Sequence, residues 1–213
     1  MDYFTDMAPL LFQGLQTTLW LFLFTALGSI PLGMIVCLIR LSKYKPLQLL
    51  MKTYILVMRG TPLLLQLIFI FFGLPIIGIS IDRETAALTA FILNYAAYFA
   101  EIFRGGILSI PQGQYEASEV LGLSKIQTFF GIILPQVVKR IVPPAGNELI
   151  TLVKDTSLAY ILGLGDVLRA SRTLTNQQAS LVPLFLAGVI YLLFVGVVTF
   201  ALKQAEAKFD YYK

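Results

Sequence analysis

Residues 116–135 read EASEVLGLSKIQTFFGIILP, and this stretch decides how the chain is organised. It is a charged segment with a glycine near its middle, Gly122, and apolar regions of membrane length lie on either side of it. Since most of the chain avoids charge, the segment is predicted to be a surface element that docks a soluble partner between membrane-spanning helices.

The composition is that of a membrane protein. Of 213 residues, 57% are hydrophobic and 13% charged, with a mean hydropathy of +0.80, whereas charged residues make up about a quarter of a soluble domain. The net charge of +4 does not indicate a nucleic-acid partner, because that would require a basic face with interleaved aromatics on a soluble domain. Orientation in the bilayer explains the charge better.

Several chemistries are excluded early. The chain has no His and a single Cys, Cys37, inside an apolar run, so it lacks the usual residues for a zinc site, a disulfide or a thiol-imidazole catalyst. We expect neither catalytic residues nor a metal site. The acidic N-terminus MDYFTDMAPL has no basic region or cleavage site of a signal peptide, and the first apolar segment is expected to stay in the protein.

Four stretches contain the roughly 20 mostly apolar residues that a spanning helix needs, namely 18–39, 54–79, 85–103 and 181–202. A fifth, 136–157, is weaker because it includes several prolines and polar residues. Lys and Arg concentrate in short cytoplasmic loops, and with this weak crossing included eleven of the sixteen fall on the inner side, while Arg59 and Lys154 lie within the membrane. Arg83, Arg169 and Arg172 then remain outside.

The predicted fold is therefore an all-α membrane protein with five transmembrane helices, its N-terminus outside and its C-terminus cytoplasmic. Helices are required because lipid offers no partners to backbone groups, and the alternating pattern of a membrane β-barrel is missing from the sequence. We expect one membrane domain over 1–213, with a short amphipathic helix in the outer connection 163–180.

The segment 109–134 is predicted to form two short cytoplasmic helices between the third and fourth spans. Pro111 suits a first helical turn, Gly122 interrupts the helix, and Ser124 with Gln127 forms a capping-box pattern for the second helix. Periodicity alone leaves a second possibility open, an ordinary amphipathic linker at the membrane interface.

The residues of this segment resemble the EAA motif of ABC importer membrane subunits. The matching positions are Glu116, Ala117, Ser118, Gly122, Ile132, Leu134 and Pro135. Ser118 stands where the family usually has Ala, which exchanges one small residue for another. The segments RGTP at 59–62, GNE at 146–148 and KDTSL at 154–158 are similar to the polar amino acid uptake branch, the histidine, glutamine and arginine type permeases.

This resemblance implies a multi-pass permease of the bacterial plasma membrane that pairs with a second permease subunit, as a homodimer or a heterodimer. It also implies a cytoplasmic ABC ATPase dimer and an extracytoplasmic amino acid binding protein. ATP and Mg²⁺ are expected on the ATPase, because this chain has no G-x-x-x-x-G-K-[ST] loop and therefore no cofactor site of its own. The expected coupling residues are Glu116, Ala117, Ser118, Glu119, Leu121, Gly122 and Leu123.

Two polar stripes at membrane depth are candidates for the substrate site. An ionisable residue in a span costs roughly 2.5 to 3.5 kcal/mol, so it normally faces a partner or a wet cavity. Glu148 and Asp155 share a helical face with Thr151, while Asn94 and Tyr98 line a face of the third span. The predicted substrate-binding residues are Glu148, Asp155, Asn94, Tyr98, Thr151, Thr156 and Ser157.

A purely structural role is the alternative for these groups. Glu101 could pair with Arg104 or Arg59, Lys154 with Asp155, and Asn94 could bond across helices. Arg59 is interpreted as structural, with its head group reaching the interface.

Two adjacent prolines mark the weak span. Pro143 and Pro144 are expected to kink or restart the helix, since both lack an N–H. Alternatively, they simply begin this weak crossing, the fourth in chain order, near Val142.

A zwitterionic amino acid needs acidic groups for its amine and donors for its carboxylate, and Tyr98, Thr156 and Ser157 could supply the donors. Two acids without a free base would favour a basic side chain, although Lys154 could neutralise one of them. Similar motifs occur in glutamine permeases. An ATP-driven importer of polar, preferably basic, amino acids by alternating access is predicted.

Two other functions are possible in principle. A channel or an ion-coupled secondary amino acid transporter could use the same acids without an ATPase, but it would not need the coupling motif. A membrane enzyme is disfavoured, because Ser157 beside Asp155 and Lys154 is a poor nucleophile arrangement.

Overall fold

A computed structural model describes the backbone of residues 2–208 and the side chains of 7–208, and this part of the chain is helical without any strand. The α-helices are α1 Asp2–Leu41, α2 Lys45–Gly60, α3 Leu63–Ile68, α4 Arg83–Leu108, α5 Gln112–Val120, α6 Lys125–Thr128, α7 Leu134–Asp155, α8 Val167–Gln178 and α9 Val182–Lys208. Two π-helical turns, Phe69–Gly73 and Phe129–Ile133, and two 3-10 segments, Leu74–Ile77 and Thr156–Leu162, extend or join them.

Three helices in the described chain are long and apolar enough to cross a membrane. They are Met7–Leu41, Arg83–Leu108 and Val182–Lys208. A fourth candidate is the bent pair Lys45–Gly60 and Leu63–Ile77. The structure thus confirms an all-helical membrane protein with three or four candidate spans of this kind.

The second predicted span differs from expectation. The sequence predicts one apolar helix over 54–79, but the structure breaks it between α2 and α3 and turns the two parts by 105°. Pro62 is the physical cause, since its ring disfavours the helical conformation for the residue before it. Thr61 accordingly has extended backbone angles, with φ −121° and ψ 148°.

The weak span forms a helix of the predicted length that begins two residues earlier. α7 begins at Leu134 and continues through both Pro143 and Pro144, so the prolines do not start this helix near Val142. Its N-terminal part is tied to the preceding connection, because the Arg140 guanidinium donates a hydrogen bond to the Ser109 carbonyl.

The centre of the fold is the contact between α1 and α4. An ideal Cβ on Gly33 would lie 2.7 Å from Phe99 Cβ and 2.9 Å from the Ala96 carbonyl oxygen. Only a glycine allows this approach, and Ala96 and Ala100 on α4 are also small and fully buried. Small residues let helices approach closely in a membrane, where dispersion contacts replace the hydrophobic drive.

The connection predicted to be a short helix does form one. Asp166 caps α8 by accepting hydrogen bonds from the backbone N–H groups of Leu168 and Arg169, at 3.1 and 3.2 Å. The Val167 N–H donates to Thr18 Oγ1 at 3.4 Å, and the Tyr191 hydroxyl lies 3.4 Å from Asp166 Oδ2. α8 is thereby anchored to both α1 and α9.

We predict that Asp166→Asn flattens the pH dependence of stability. Burial raises the pKa of the Asp166 carboxyl to about 6, although its backbone hydrogen bonds lower it. The pKa of an unfolded aspartate is about 3.9. The folded chain therefore binds more protons between these values, and this group makes stability fall as pH rises through that window. Asparagine still caps helices but does not titrate, and thermal unfolding in detergent from pH 4 to 7 measures the difference.

The matched control is Asp82→Asn, at the exposed N-cap of α4. Hydrogen bonds from Thr85 lower the pKa of Asp82, so its contribution to stability is present above pH 4 and is lost at lower pH. Asp82→Asn should leave the decline between pH 4 and 6 in place. An identical decline in Asp166→Asn would contradict the prediction.

Candidate functional site

A cavity of about 540 Å³ lies where α2, α3, α4 and α7 meet. Its wall includes polar side chains from three helices, namely Arg59, Thr61, Asn94, Tyr95, Tyr98, Glu148, Thr151 and Asp155. The volume is within the range of about 300 to 1,000 Å³ that is usual for small-molecule sites. Five of the seven predicted substrate-binding residues are in this wall.

The acidic side of the cavity is supplied by α7. Glu148, Thr151 and Asp155 follow one another at helical spacing and face the same space. The Tyr95 hydroxyl donates a hydrogen bond of 2.7 Å to Asp155 Oδ2 and fixes that carboxylate. Lys154 is exposed and outside the cavity wall, and the pairing with Asp155 considered from the sequence is not among the ion pairs of the described chain.

On the opposite side, Asn94 fastens the broken second span to α4. Its amide donates to the Met58 carbonyl at 2.9 Å and to Gln66 Oε1 at 3.0 Å. Gln66 in turn donates to the Met58 carbonyl at 3.0 Å and to Thr61 Oγ1 at 2.8 Å. Asn94 therefore bonds across helices, as the structural alternative predicted, and lines the cavity as well.

Arg104 and Arg59 contact different groups. Arg104 holds both carboxylate oxygens of Glu101, with the closest contact at 2.7 Å, which confirms the predicted structural pairing. Arg59 is not in that pair; its Cζ lies 5.1 Å from the centre of the Tyr98 ring. The structure thus places Arg59 at the cavity rather than in a purely structural contact.

Two predicted residues are not in the cavity wall. Thr156 is fully buried and donates to the Val153 carbonyl at 2.7 Å, while Ser157 donates to the Lys154 carbonyl at 2.7 Å. Both belong to the 3-10 segment after α7, whose different twist ends the stripe of Glu148 and Asp155.

Sequence reasoning missed Tyr95, Gln66 and Thr61. Gln66 had a usable signal, because it is a lone polar residue in the apolar run LLLQLIFIFF. Tyr95 lies three residues before Tyr98 on the same helical face, which is a weaker signal. The role of Thr61 depends on the break itself and could not be predicted.

Two helices meet near Gly122, namely α5 and the four-residue α6, and α6 continues through the π-helical turn Phe129–Ile133 into α7. α5 ends in a Schellman motif, in which the Leu123 N–H bonds to the Ser118 carbonyl and the Gly122 N–H to the Glu119 carbonyl. Gly122 has φ +73°, a conformation that favours glycine. Ser124 and Gln127 form the expected capping box at the start of α6.

The predicted coupling residues divide by exposure. Glu116, Ala117, Glu119 and Leu121 are exposed, Leu123 is half-buried, and Ser118 is buried with its hydroxyl bonded to the Gln114 carbonyl at 2.6 Å. The surface also includes apolar side chains that the sequence analysis did not name, chiefly Val120, Ile126 and Phe130. Such an exposed apolar patch is typical of an interaction site.

Residues 29–209 match the family described as binding-protein-dependent transport system inner membrane component. The chain belongs to this family. It is 40% identical over 202 residues to the arginine transport system permease protein ArtQ of Bacillus subtilis (strain 168), covering 94% of this chain and 92% of that protein. It is 34% identical over 203 residues to the glutamine transport system permease protein GlnP of Escherichia coli (strain K12), covering 94% and 93%.

The permease also matches a crystal structure of an amino acid ABC transporter with histidines. The TM-score is 0.89 at 32% identity, and the match covers 96% of both chains. The protein is therefore the permease subunit of an amino acid ABC importer, a multi-pass protein of the bacterial plasma membrane. Membership decides against the channel, the secondary carrier and the enzyme, because the relatives are transport subunits.

We predict that Asn94→Ala destabilises the permease by about 1 kcal/mol, since interhelical hydrogen bonds in membranes contribute on this order. The substitution removes two donated bonds between α4 and the break in the second span. A lowering of the thermal midpoint by about 2–4 °C is expected for a chain of this size. Asn147→Ala, at an exposed position on α7, is the control, and equal midpoints for the two variants would refute the assignment.

Proposed function

We propose that this permease forms the translocation pathway for polar amino acids, with basic ones preferred, and works by alternating access. The observation that carries the proposal is the pair of carboxylates, Glu148 and Asp155, in one cavity between helices of the predicted second, third and fourth spans. Among the described residues, Arg59 is the base in this wall, so the two acids outnumber it and a cationic ligand is the natural partner for the remaining negative charge.

The proposed substrate contacts are Glu148, Asp155, Asn94, Tyr98 and Thr151. One acid would bind the α-amine and the other a cationic side chain. Lys154 does not oppose this preference, because it is exposed, lies outside the cavity wall and forms no ion pair with Asp155 within 4.0 Å. The name of ArtQ, an arginine permease, agrees with a basic substrate, whereas that of GlnP points to glutamine.

For the topology we propose five spans in one domain over 1–213, with the N-terminus outside and α7 as the fourth crossing. The asymmetry of Lys and Arg supports this orientation. It also places α5 and α6, within the loop 109–134, on the cytoplasmic side. There Glu116 and Glu119 would offer charge, and Leu121 and Leu123 apolar contact, to an ATPase.

The proposed assembly contains two permease subunits, a cytoplasmic ABC ATPase dimer and an extracytoplasmic amino acid binding protein. The family description, a binding-protein-dependent transport system, supports the last of these. ATP and Mg²⁺ would be bound by the ATPases. A homodimer and a heterodimer are both compatible with these observations.

Glu148→Gln tests whether the cavity binds the substrate. Loss of the negative charge should weaken arginine binding about tenfold, which corresponds to about 1.4 kcal/mol, and should affect glutamine less. Affinities are measured on the solubilised permease–ATPase complex, with Glu206→Gln near the C-terminus of α9 as the control. Unchanged affinities for arginine, lysine, histidine and glutamine would remove Glu148 from the site.

Gly122→Val tests whether the segment 109–134 couples ATP hydrolysis to transport. A β-branched residue at φ +73° would be strained by at least about 1–2 kcal/mol, so the hinge between α5 and α6 should distort. Uptake per ATP hydrolysed in proteoliposomes is expected to fall several-fold. Gly113→Val is the control, because a Cβ there meets no atom within 4 Å and its φ is not in the left-handed range. Full coupling in Gly122→Val would exclude a mechanical role for the turn between α5 and α6.

A further inference from the structure

Arg59 occupies an unusual place in the cavity. It is the penultimate residue of α2, next to the break in the second span, and it shares the cavity wall with Glu148 and Asp155. Among the residues that the structure describes, no other lysine or arginine lines this cavity. An exposed guanidinium at membrane depth is costly unless water or a partner satisfies it.

No acid in the described chain pairs with Arg59 within 4.0 Å, although the charge of Arg59 acts on both Glu148 and Glu101. Glu101, one of the partners considered from the sequence, is held through both oxygens by Arg104. Within the described part of the chain, Arg59 has no carboxylate within 4.0 Å and donates no hydrogen bond. Its N–H donors are therefore available to a ligand.

Tyr98 determines how the guanidinium is held. The Arg59 Cζ lies 5.1 Å from the Tyr98 ring centre, which is a cation–π distance. A guanidinium is planar and carries its donors in that plane. Contact with an aromatic ring therefore positions the group while its two-pronged edge stays free, and this edge matches a carboxylate.

The geometry points to Arg59 as the residue that binds the substrate's α-carboxylate, so that it makes the cavity select amino acids over amines. This inference rests on the proposed binding of amino acids in the cavity. Two carboxylates and one guanidinium in the wall are complementary to a basic amino acid, which has two cationic groups and one carboxylate. A simple diamine would leave Arg59 without a partner.

The test compares L-arginine with agmatine, which is arginine without its carboxylate. Both ligands are titrated by calorimetry into the solubilised permease–ATPase complex. The wild type should bind arginine at least tenfold more tightly than agmatine. In Arg59→Gln, arginine affinity should fall about tenfold or more while agmatine affinity stays the same or rises, so that the ratio approaches one.

Three further variants separate recognition from structure. Lys52→Gln, on the exposed part of α2, should keep the wild-type ratio. Arg59→Lys retains the charge but loses the bidentate edge, so it should give an intermediate ratio. Tyr98→Leu, compared with Tyr98→Phe, changes the ring that holds Arg59 without altering Arg59, and it supplies the test if Arg59→Gln does not fold.

The outcomes distinguish this inference from the proposed function. An unchanged arginine-to-agmatine ratio in Arg59→Gln, or an equal loss for both ligands, would overturn the role of Arg59. If Glu148→Gln still weakened arginine binding in that case, the cavity would remain the substrate site. If neither variant changed arginine affinity, both the cavity assignment and this inference would be wrong.

Discussion

The arrangement of the cavity depends on how the backbone groups at the break in the second span find hydrogen-bond partners. A helix that ends within a membrane leaves carbonyl groups without partners, and lipid cannot supply them. Here Asn94 and Gln66 both donate to the Met58 carbonyl, and Gln66 also reaches the Thr61 backbone and hydroxyl. This network supplies hydrogen-bond partners where the chain turns by 105°.

The break and α7 together give the cavity its charge. The end of α2 contributes Arg59, and α7 contributes Glu148 and Asp155 from the other side. Tyrosines from α4 hold one group on each side: Tyr95 bonds Asp155 and Tyr98 lies against Arg59. Charges of both signs thus line one space.

α7 also connects the cavity to the short helices α5 and α6. The chain runs from α6 through the π-helical turn Phe129–Ile133 directly into α7, and Arg140 ties that helix to the Ser109 carbonyl after α4. A force applied at α5 and α6 would therefore act on the helix that contains Glu148 and Asp155. π-helical turns are frequent at functional sites, and this one lies on that path.

The sequence alone determined the membrane class from its composition and the family from its motifs. It also determined the local structure of the segment 109–134, because a glycine in a left-handed turn and a capping box depend only on neighbouring residues. It also identified Glu148 and Asp155 as candidate substrate-binding residues, because acids are rare and costly in apolar spans. Only the tertiary structure decided that Thr156 and Ser157 lie outside the cavity wall, and that Arg59 is in that wall while Arg104 pairs with Glu101. Those outcomes depend on which helices meet, and helical spacing within one segment does not contain that information.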